Sequence, residues 1–332
     1  MRREASDAFV AVLLACVLIS LCVGQNGCRK TCCVLAVATG SSSVVVHYID
    51  VGQGDYILVD TTNRDVLIDG GPHQAASTVL SYRDDLGITR IHLMIATHVH
   101  ADHIGGLIGV LDSTVEVDEI LINNQTYDSS TYTEFMSSAQ SHTVTVAERG
   151  QTFILTETVN LTVLNPVQPL EFASANDNSI VVKLQVDNTS FLFTGDAEAD
   201  AEQSMINVGI DVQCDILKVG HHGSRYATTQ LFLDNCAASY AVISVGEDNP
   251  YDHPHAETVE RLLANDVTVY GTFHSGTIIA STDGDSVILE GNPEPIPEFP
   301  SNLIISTLMV LTLLGTITLK RRRKAETNSS YD

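Results

Sequence analysis

Apolar residues form two uninterrupted runs near the ends, at 9–23 and 302–319, and short clusters between them separated by Gly, Pro, Asn and Asp. Short β-branched clusters bounded by turn residues read as strands. Three open the interior, at 44–50, 56–60 and 65–69, joined by Gly52-Gln53-Gly54 and Thr61-Thr62-Asn63. Helical spacing at 75–86 and 103–111 then alternates with strands ending at Thr97 and Ile122. A helix at 133–141 precedes strands near 143–147, 151–155, 161–164, 179–186 and 190–194. Helices at 197–208, 228–233 and 256–263 then alternate with strands at 212–220 and 240–245, and strands at 268–270, 277–280 and 286–289 finish the pattern. The simplest packing is two sheets face to face with helices outside both, a four-layer αββα sandwich in the α/β class.

The end runs change the picture of where this fold sits. Arg2-Arg3, the first run and Gly24-Gln25 suit a secretory signal peptide over 1–24, although Glu4 and Asp7 are unusual in its basic start; an uncleaved anchor is the alternative. A linker at 25–43 and a Pro-rich linker at 292–301 flank the interior. The run at 302–319 is about long enough to span a bilayer, and Lys320-Arg321-Arg322-Arg323-Lys324 opens the tail at 320–332. A basic cluster is retained in the cytoplasm, so the expected location of the interior is the external face of the membrane.

Charge agrees with that topology. Of the 17 Lys and Arg, two precede the first run and five form the cluster, which leaves ten against 37 of the 41 Asp and Glu. Such an acidic exterior repels a polyanion at long range and carries no signature of sequence-independent DNA binding. Asn124, Asn160 and Asn188 begin Asn-X-Ser/Thr triplets that can carry glycans outside the cell. The seven cysteines, at 16, 22, 28, 32, 33, 214 and 236, lack zinc spacing and are given no chemical role. At 332 residues with 44% apolar content, the chain can bury a sizeable core in one large domain or two.

The chemistry concentrates in Thr97-His98-Val99-His100-Ala101-Asp102-His103-Ile104-Gly105-Gly106, directly after an apolar strand. Two residues along an extended segment return a side chain to one face, so His98 and His100 can grip one cation. Asp102 and His103 fall just past the turn, where a second cation fits. Gly105-Gly106 lets the backbone pass close before the helix continues. Further ligand-type residues stand at strand ends: Asp69 before Gly70-Gly71, Asp196 after Thr194-Gly195, and His221-His222 before Gly223-Ser224.

These segments resemble the metallo-β-lactamase fold superfamily, and within it the soluble domain of the ComEC-type competence proteins. The motifs are Asp50-Val51-Gly52-Gln53-Gly54-Asp55, Leu67-Ile68-Asp69-Gly70-Gly71, the histidine-rich decapeptide, Asn176-Asp177-Asn178-Ser179, Thr194-Gly195-Asp196-Ala197-Glu198, Lys218-Val219-Gly220-His221-His222-Gly223-Ser224 and Asn249-Pro250-Tyr251-Asp252-His253-Pro254. They imply a hydrolase domain over 44–291. They also imply two divalent ions: His98 and His100 on the first, Asp102 and His103 on the second, and Asp196 between them. His221, with His222 less favoured, completes the second, and Asp69 orients an imidazole. The superfamily often supplies another histidine before Asp196; here that interval holds only His142, so the first site is weaker or differently ligated.

Two such ions lower the pKa of a shared water and neutralise the developing oxyanion. Asp102 or Asp196 can orient that water, and His222, Ser224 and His253 are candidates to contact the scissile group or protonate the leaving group. Mixed imidazole and carboxylate ligation suits zinc or manganese. The expected substrate is DNA or another phosphodiester. Small esters, lactones or β-lactams are the alternative, and a catalytically idle surface binding protein is the third reading. Multiple channel spans have no counterpart here, so DNA transport by this chain itself is not expected. Pro297-Glu298-Phe299-Pro300, the apolar run and the basic cluster resemble an archaeal PEF-type sorting tail. That resemblance implies a surface protein processed by an archaeosortase and held by a lipid, or else by the span itself. The oligomeric state is left open.

Overall fold

Clusters of Val, Ile and Leu separated by turn residues produce the opening meander: β1 (Val44–Tyr48), β2 (Ile57–Asp60) and β3 (Val66–Ile68), each antiparallel to the next. The computed structural model describes residues 44–61, 63–291 and 293–297. The signal segment, the run at 302–319, the basic tail and the sorting motif from Glu298 onward lie outside the described residues. Among the described residues no helix is long and apolar enough to cross a membrane.

After β3 the first sheet turns parallel. β5 (Leu93–Ala96), β7 (Glu119–Ile122) and β8 (Thr143–Val146) each align with the preceding strand. The crossovers carry α1 (Ala76–Asp85), α2 (Ala101–Leu111) and α3 (Ser130–Ala139). A short ladder of β4 (Arg90–Ile91) with β6 (Glu116–Val117) stands apart. On the other edge, β16 (Ile278–Thr282) pairs with β1, and β17 (Val287–Glu290) closes the sheet.

The second sheet repeats this plan. Antiparallel β9 (Thr152–Ile154), β10 (Val159–Asn165), β11 (Val181–Val186) and β12 (Thr189–Phe193) lead into parallel β13 (Ile216–Lys218), β14 (Tyr240–Ile243) and β15 (Thr268–Gly271). Here the crossovers carry α4 (Ala199–Asn207), α5 (Gln230–Cys236) and α6 (Ala256–Ala264), and the single turn α7 (Thr272–Ser275) follows β15. Thr229 caps α5 by accepting from Phe232 N, and Ser129 caps α3 by accepting from Tyr132 N.

Three apolar clusters give the four layers. One lies between the sheets and includes Tyr48, Val182, Phe191 and Phe193, all fully buried. Leu107 and Phe135 pack the helices of the first half onto their sheet, and Met205, Phe232 and Leu262 do so in the second. The αββα expectation is met. Removing one such aromatic to alanine costs about 3–5 kcal/mol through lost burial and a residual cavity. Cys214 and Cys236 are free and buried in the second outer layer.

One boundary changes the chemistry. Helix α2 begins at Ala101, two residues before the predicted start, with His100 extended before it, so Asp102 joins His103 in its first turn. Gly105 and Gly106 lie inside that helix. A Cβ on Gly106 would overlap the Gly70 carbonyl, and one on Gly105 would overlap His73 N, so the pair lets α2 press against the 70–73 segment.

Candidate metal centre

Parallel strands from both sheets end on one edge, and their carboxyl ends supply the site. β3 and β5 stop side by side, which sets Asp69 against Thr97 and His98. Asp69 adopts φ 57°; its Oδ1 accepts from Thr97 N at 2.8 Å and its Oδ2 from Thr97 Oγ1 at 2.6 Å. The same Oδ2 is 2.7 Å from His103 Nδ1. A carboxylate there holds the proton on Nδ1 and turns Nε2 inward, toward Asp196. Thr97 Oγ1, its own proton given to Asp69, accepts from His98 Nδ1 at 3.2 Å. His98 Nε2 is therefore turned toward Asp196 as well.

From the second sheet, Asp196 follows β12, its backbone N–H donating to Ser179 Oγ at 3.2 Å. Beyond β13, His221, His222 and Gly223 take three successive left-handed conformations, at φ 46°, 53° and 82°. For a non-glycine residue that conformation costs about 1 kcal/mol or more and persists only where neighbours enforce it. Here they do: His222 Nδ1 donates to Ser244 O at 2.8 Å, and His221 Nδ1 is 2.7 Å from Glu198 Oε1. Those contacts turn both Nε2 atoms toward Asp196.

Everything converges on the two oxygens of Asp196. Near Oδ1 are His103 Nε2 at 3.2 Å and His222 Nε2 at 3.5 Å, and Asp102 Oδ2 is 3.4 Å from that same His222 nitrogen. Near Oδ2 are His98 Nε2 and His221 Nε2, each at 3.6 Å, and His100 Nδ1 is 2.9 Å from His98 Nε2. His103 Nε2, His222 Nε2 and Asp196 Oδ1 are buried without any hydrogen-bond partner. Leaving them so would cost on the order of 1–3 kcal/mol apiece. A tetrahedral ion with bonds of about 2.1 Å has ligand-to-ligand edges of about 3.4 Å. Separations of 3.2, 3.4 and 3.5 Å match that edge, so the residues fit a divalent cation.

Burial alone would raise the Asp196 carboxyl, but the imidazoles of His103, His222, His221 and His98 outweigh it and hold the group well below the carboxylate range. For His222, burial opposes the charge, yet Asp196, Asp102 and Asp55 push it up to about 10. The negative potential that retains a proton there is the potential that attracts a cation. His98 is driven well down, first by burial and then by His103.

The predicted residues divide clearly. His98, His100, Asp102, His103, Asp196, His221 and His222 come together. Where the sequence reading favoured His221 beside Asp102 and His103, the left-handed turn brings His222 there, 1% exposed, while the His221 side chain keeps 24% of its surface. His253 lines the same cavity as His100, Asp102 and His222, about 370 Å³ in volume, and burial with neighbouring imidazoles pulls it down to about 4. It is neutral at pH 7, able to offer a hydrogen bond but no imidazolium proton. Ser224 is not in that lining; its N–H donates to His221 O and its Oγ accepts from Tyr226 N, a turn role. His142 pairs with the Val117 carbonyl instead.

Three residues escaped the sequence reading of the site. Asp55 is buried, with Oδ2 2.7 Å from Lys218 Nζ and Oδ1 3.4 Å from His222 Nδ1. Burial would raise its carboxyl, but Lys218, His222 and His103 hold it below the usual range. Lys218 was detectable as a lone cation inside an apolar strand, and Glu198 as a second carboxylate two residues after Asp196.

This fold and this cluster define a family. Residues 49–246 match the metallo-beta-lactamase superfamily, and the chain belongs to it. It is similar to "ComE operon protein 3" of Bacillus subtilis (strain 168), 31% identical over 72% of this chain and 33% of that protein, and to "Recombination protein 2" of Haemophilus influenzae, 29% identical over 70% and 28%. The chain thus spans about a third of the length of the curated relatives it matches. Among solved structures it is similar to the metallo-beta-lactamase fold protein YhfI from Bacillus subtilis, with a TM-score of 0.46 and 14% identity over 73% of this chain and 100% of that one.

Proposed function

We propose that the chain is a metal-dependent hydrolase of phosphodiester bonds, in DNA or in a smaller diester. The observation that carries this reading is the convergence of Asp102, His103, Asp196 and His222 on unsatisfied buried atoms beside a cavity of about 370 Å³. Two divalent ions, zinc or manganese, supply a nucleophile at neutral pH and offset developing negative charge when bound. The chain's own part is orientation. Asp69 and the Ser244 carbonyl hold the Nδ1 protons of His103 and His222, so each turns Nε2 to an ion that displaces the proton there. Asp102 keeps a carboxylate edge toward the cavity to orient water, and neutral His253 offers an N–H to the scissile group. A relative whose name refers to recombination adds support for a nucleic-acid substrate.

A second reading has its own support: among the described residues no Lys or Arg lines the cavity, whose rim carries Tyr127 and Tyr251. Such a lining suits a small ester, lactone or β-lactam at least as well as a polyanion. An idle binding protein is the third reading. Assay of the metal-loaded protein on single-stranded DNA, a chromogenic phosphodiester and a cephalosporin separates them, with Asp196→Ala as control. Turnover of the cephalosporin alone would replace the phosphodiester reading, and no turnover at all would favour binding only.

The proposed location is the outer face of the membrane, resting on the run at 302–319 and the cluster at 320–324. An archaeosortase and a lipid anchor are the proposed partners of the Pro297–Pro300 tail. Protease added to intact cells is expected to remove the domain, and intact-mass measurement to report whether the chain ends near Phe299.

A further inference from the structure

The group of Asp102, His103, His222 and Asp196 Oδ1 accounts for one ion. The opposite oxygen of Asp196 has its own pair of imidazoles. His98 Nε2 and His221 Nε2 sit at the same distance from Oδ2, 3.6 Å each, approaching from different sheets. His98 Nε2 and His100 Nδ1 are 2.9 Å apart. With the Nδ1 proton of His98 directed to Thr97, a proton on His100 Nδ1 joins the two nitrogens when no ion is bound, and loss of that proton leaves both to serve one cation.

His221 is prepared for the same point. Glu198 Oε1 approaches its Nδ1 at 2.7 Å, closer than the 3.4 Å of Asn176 Nδ2, so Nδ1 carries the proton and Nε2 is the acceptor. Glu198 is itself held in place, because its N–H donates to Asp177 Oδ1 at 3.2 Å at the start of α4. The arrangement repeats what Asp69 does for His103: a carboxylate on the far nitrogen, Nε2 facing Asp196. The adjacent histidines thus diverge, His222 toward Oδ1 and His221 toward Oδ2, and the left-handed turn they share is what splays them.

We propose that His221 is a ligand of the first ion, joining His98, His100 and Asp196 Oδ2, with Glu198 as its positioning residue. One consecutive pair of histidines then serves both ions. The proposal rests on the metal-dependent reading above and assigns His221 within it.

The test measures metal, not turnover. Full-length protein is stripped of metal, equilibrated with Co²⁺, and analysed for bound ion per chain and for its visible absorption spectrum. Asparagine tolerates left-handed backbone better than other non-glycine residues, so the variants are His221→Asn and His222→Asn, with folding checked by near-ultraviolet circular dichroism. Wild type is expected to hold two ions. Each variant is expected to hold one, and the two residual Co²⁺ spectra should differ because different ions remain. Glu198→Ala is expected to keep both ions and to bind one of them about 10–100-fold more weakly. Two ions of unchanged affinity in His221→Asn would overturn the assignment, as would a single wild-type ion lost in His222→Asn but kept in His221→Asn. A wild-type chain that binds no ion would overturn the metal-dependent reading itself, which is a distinct result.

Discussion

Lys218 of β13 and Asp55 of the loop after β1 meet at 2.7 Å with both side chains buried, joining the second sheet to the first beside His222. A buried pair of this kind adds little net stability, but removing one partner strands the other charge. Lys218→Met is therefore expected to lower the unfolding free energy by about 3–5 kcal/mol, read from urea denaturation. Lys218→Met combined with Asp55→Asn should recover much of that loss; a double variant no more stable than the single one would contradict the pairing argument.

Asp69 acts on the centre through His103, since its Oδ2 holds the Nδ1 proton at 2.7 Å. Loss of such an orienting carboxylate typically weakens metal binding about 10–100-fold. Asp69→Asn should show that weakening in competition with a chromogenic chelator. Unchanged affinity would assign Asp69 to packing alone.

Helix α2 reaches the centre only because its glycines allow backbone to touch backbone. In Gly106→Ala the new methyl meets the Gly70 carbonyl, and neither main chain has a rotamer to yield. A loss of about 1–3 kcal/mol is expected from overpacking of this kind, measured as a lower melting temperature. An unaltered melting temperature would show that α2 can shift freely.

Glu202 of α4 is buried, with Oε1 and Oε2 accepting from Thr228 N and Thr229 N. Burial pushes it up to about 7 from an ordinary value of 4.5, against the opposing effect of those donors. Its folded pKa lies above the unfolded one, so the folded chain binds more protons between those limits. Stability from this group is present below pH 4.5 and is lost as pH rises to 7. Urea midpoints of wild type and Glu202→Gln compared across that window should show the downward slope reduced in the variant. Parallel slopes would refute the assignment.

The sequence by itself determined the layers and most of the site. Short β-branched clusters with interleaved helical spacing specify two sheets with outer helices, because each element must bury one apolar face. Four ligand-type side chains within 98–103, and Asp196 and His221-His222 at strand ends, mark the centre without coordinates. Spacing reports which residues leave a strand end, not which way each then points. Only the tertiary structure shows how His221 and His222 diverge, one toward Glu198 and the other toward Asp102, because that depends on left-handed dihedrals enforced by Ser244 and Glu198 from separate elements. It alone brought Asp55 to Lys218, 163 positions apart in the chain, a separation at which spacing cannot announce a pair. And it alone started that helix two residues early, at Ala101, which puts Asp102 on it beside His103 where Gly106 can approach Gly70.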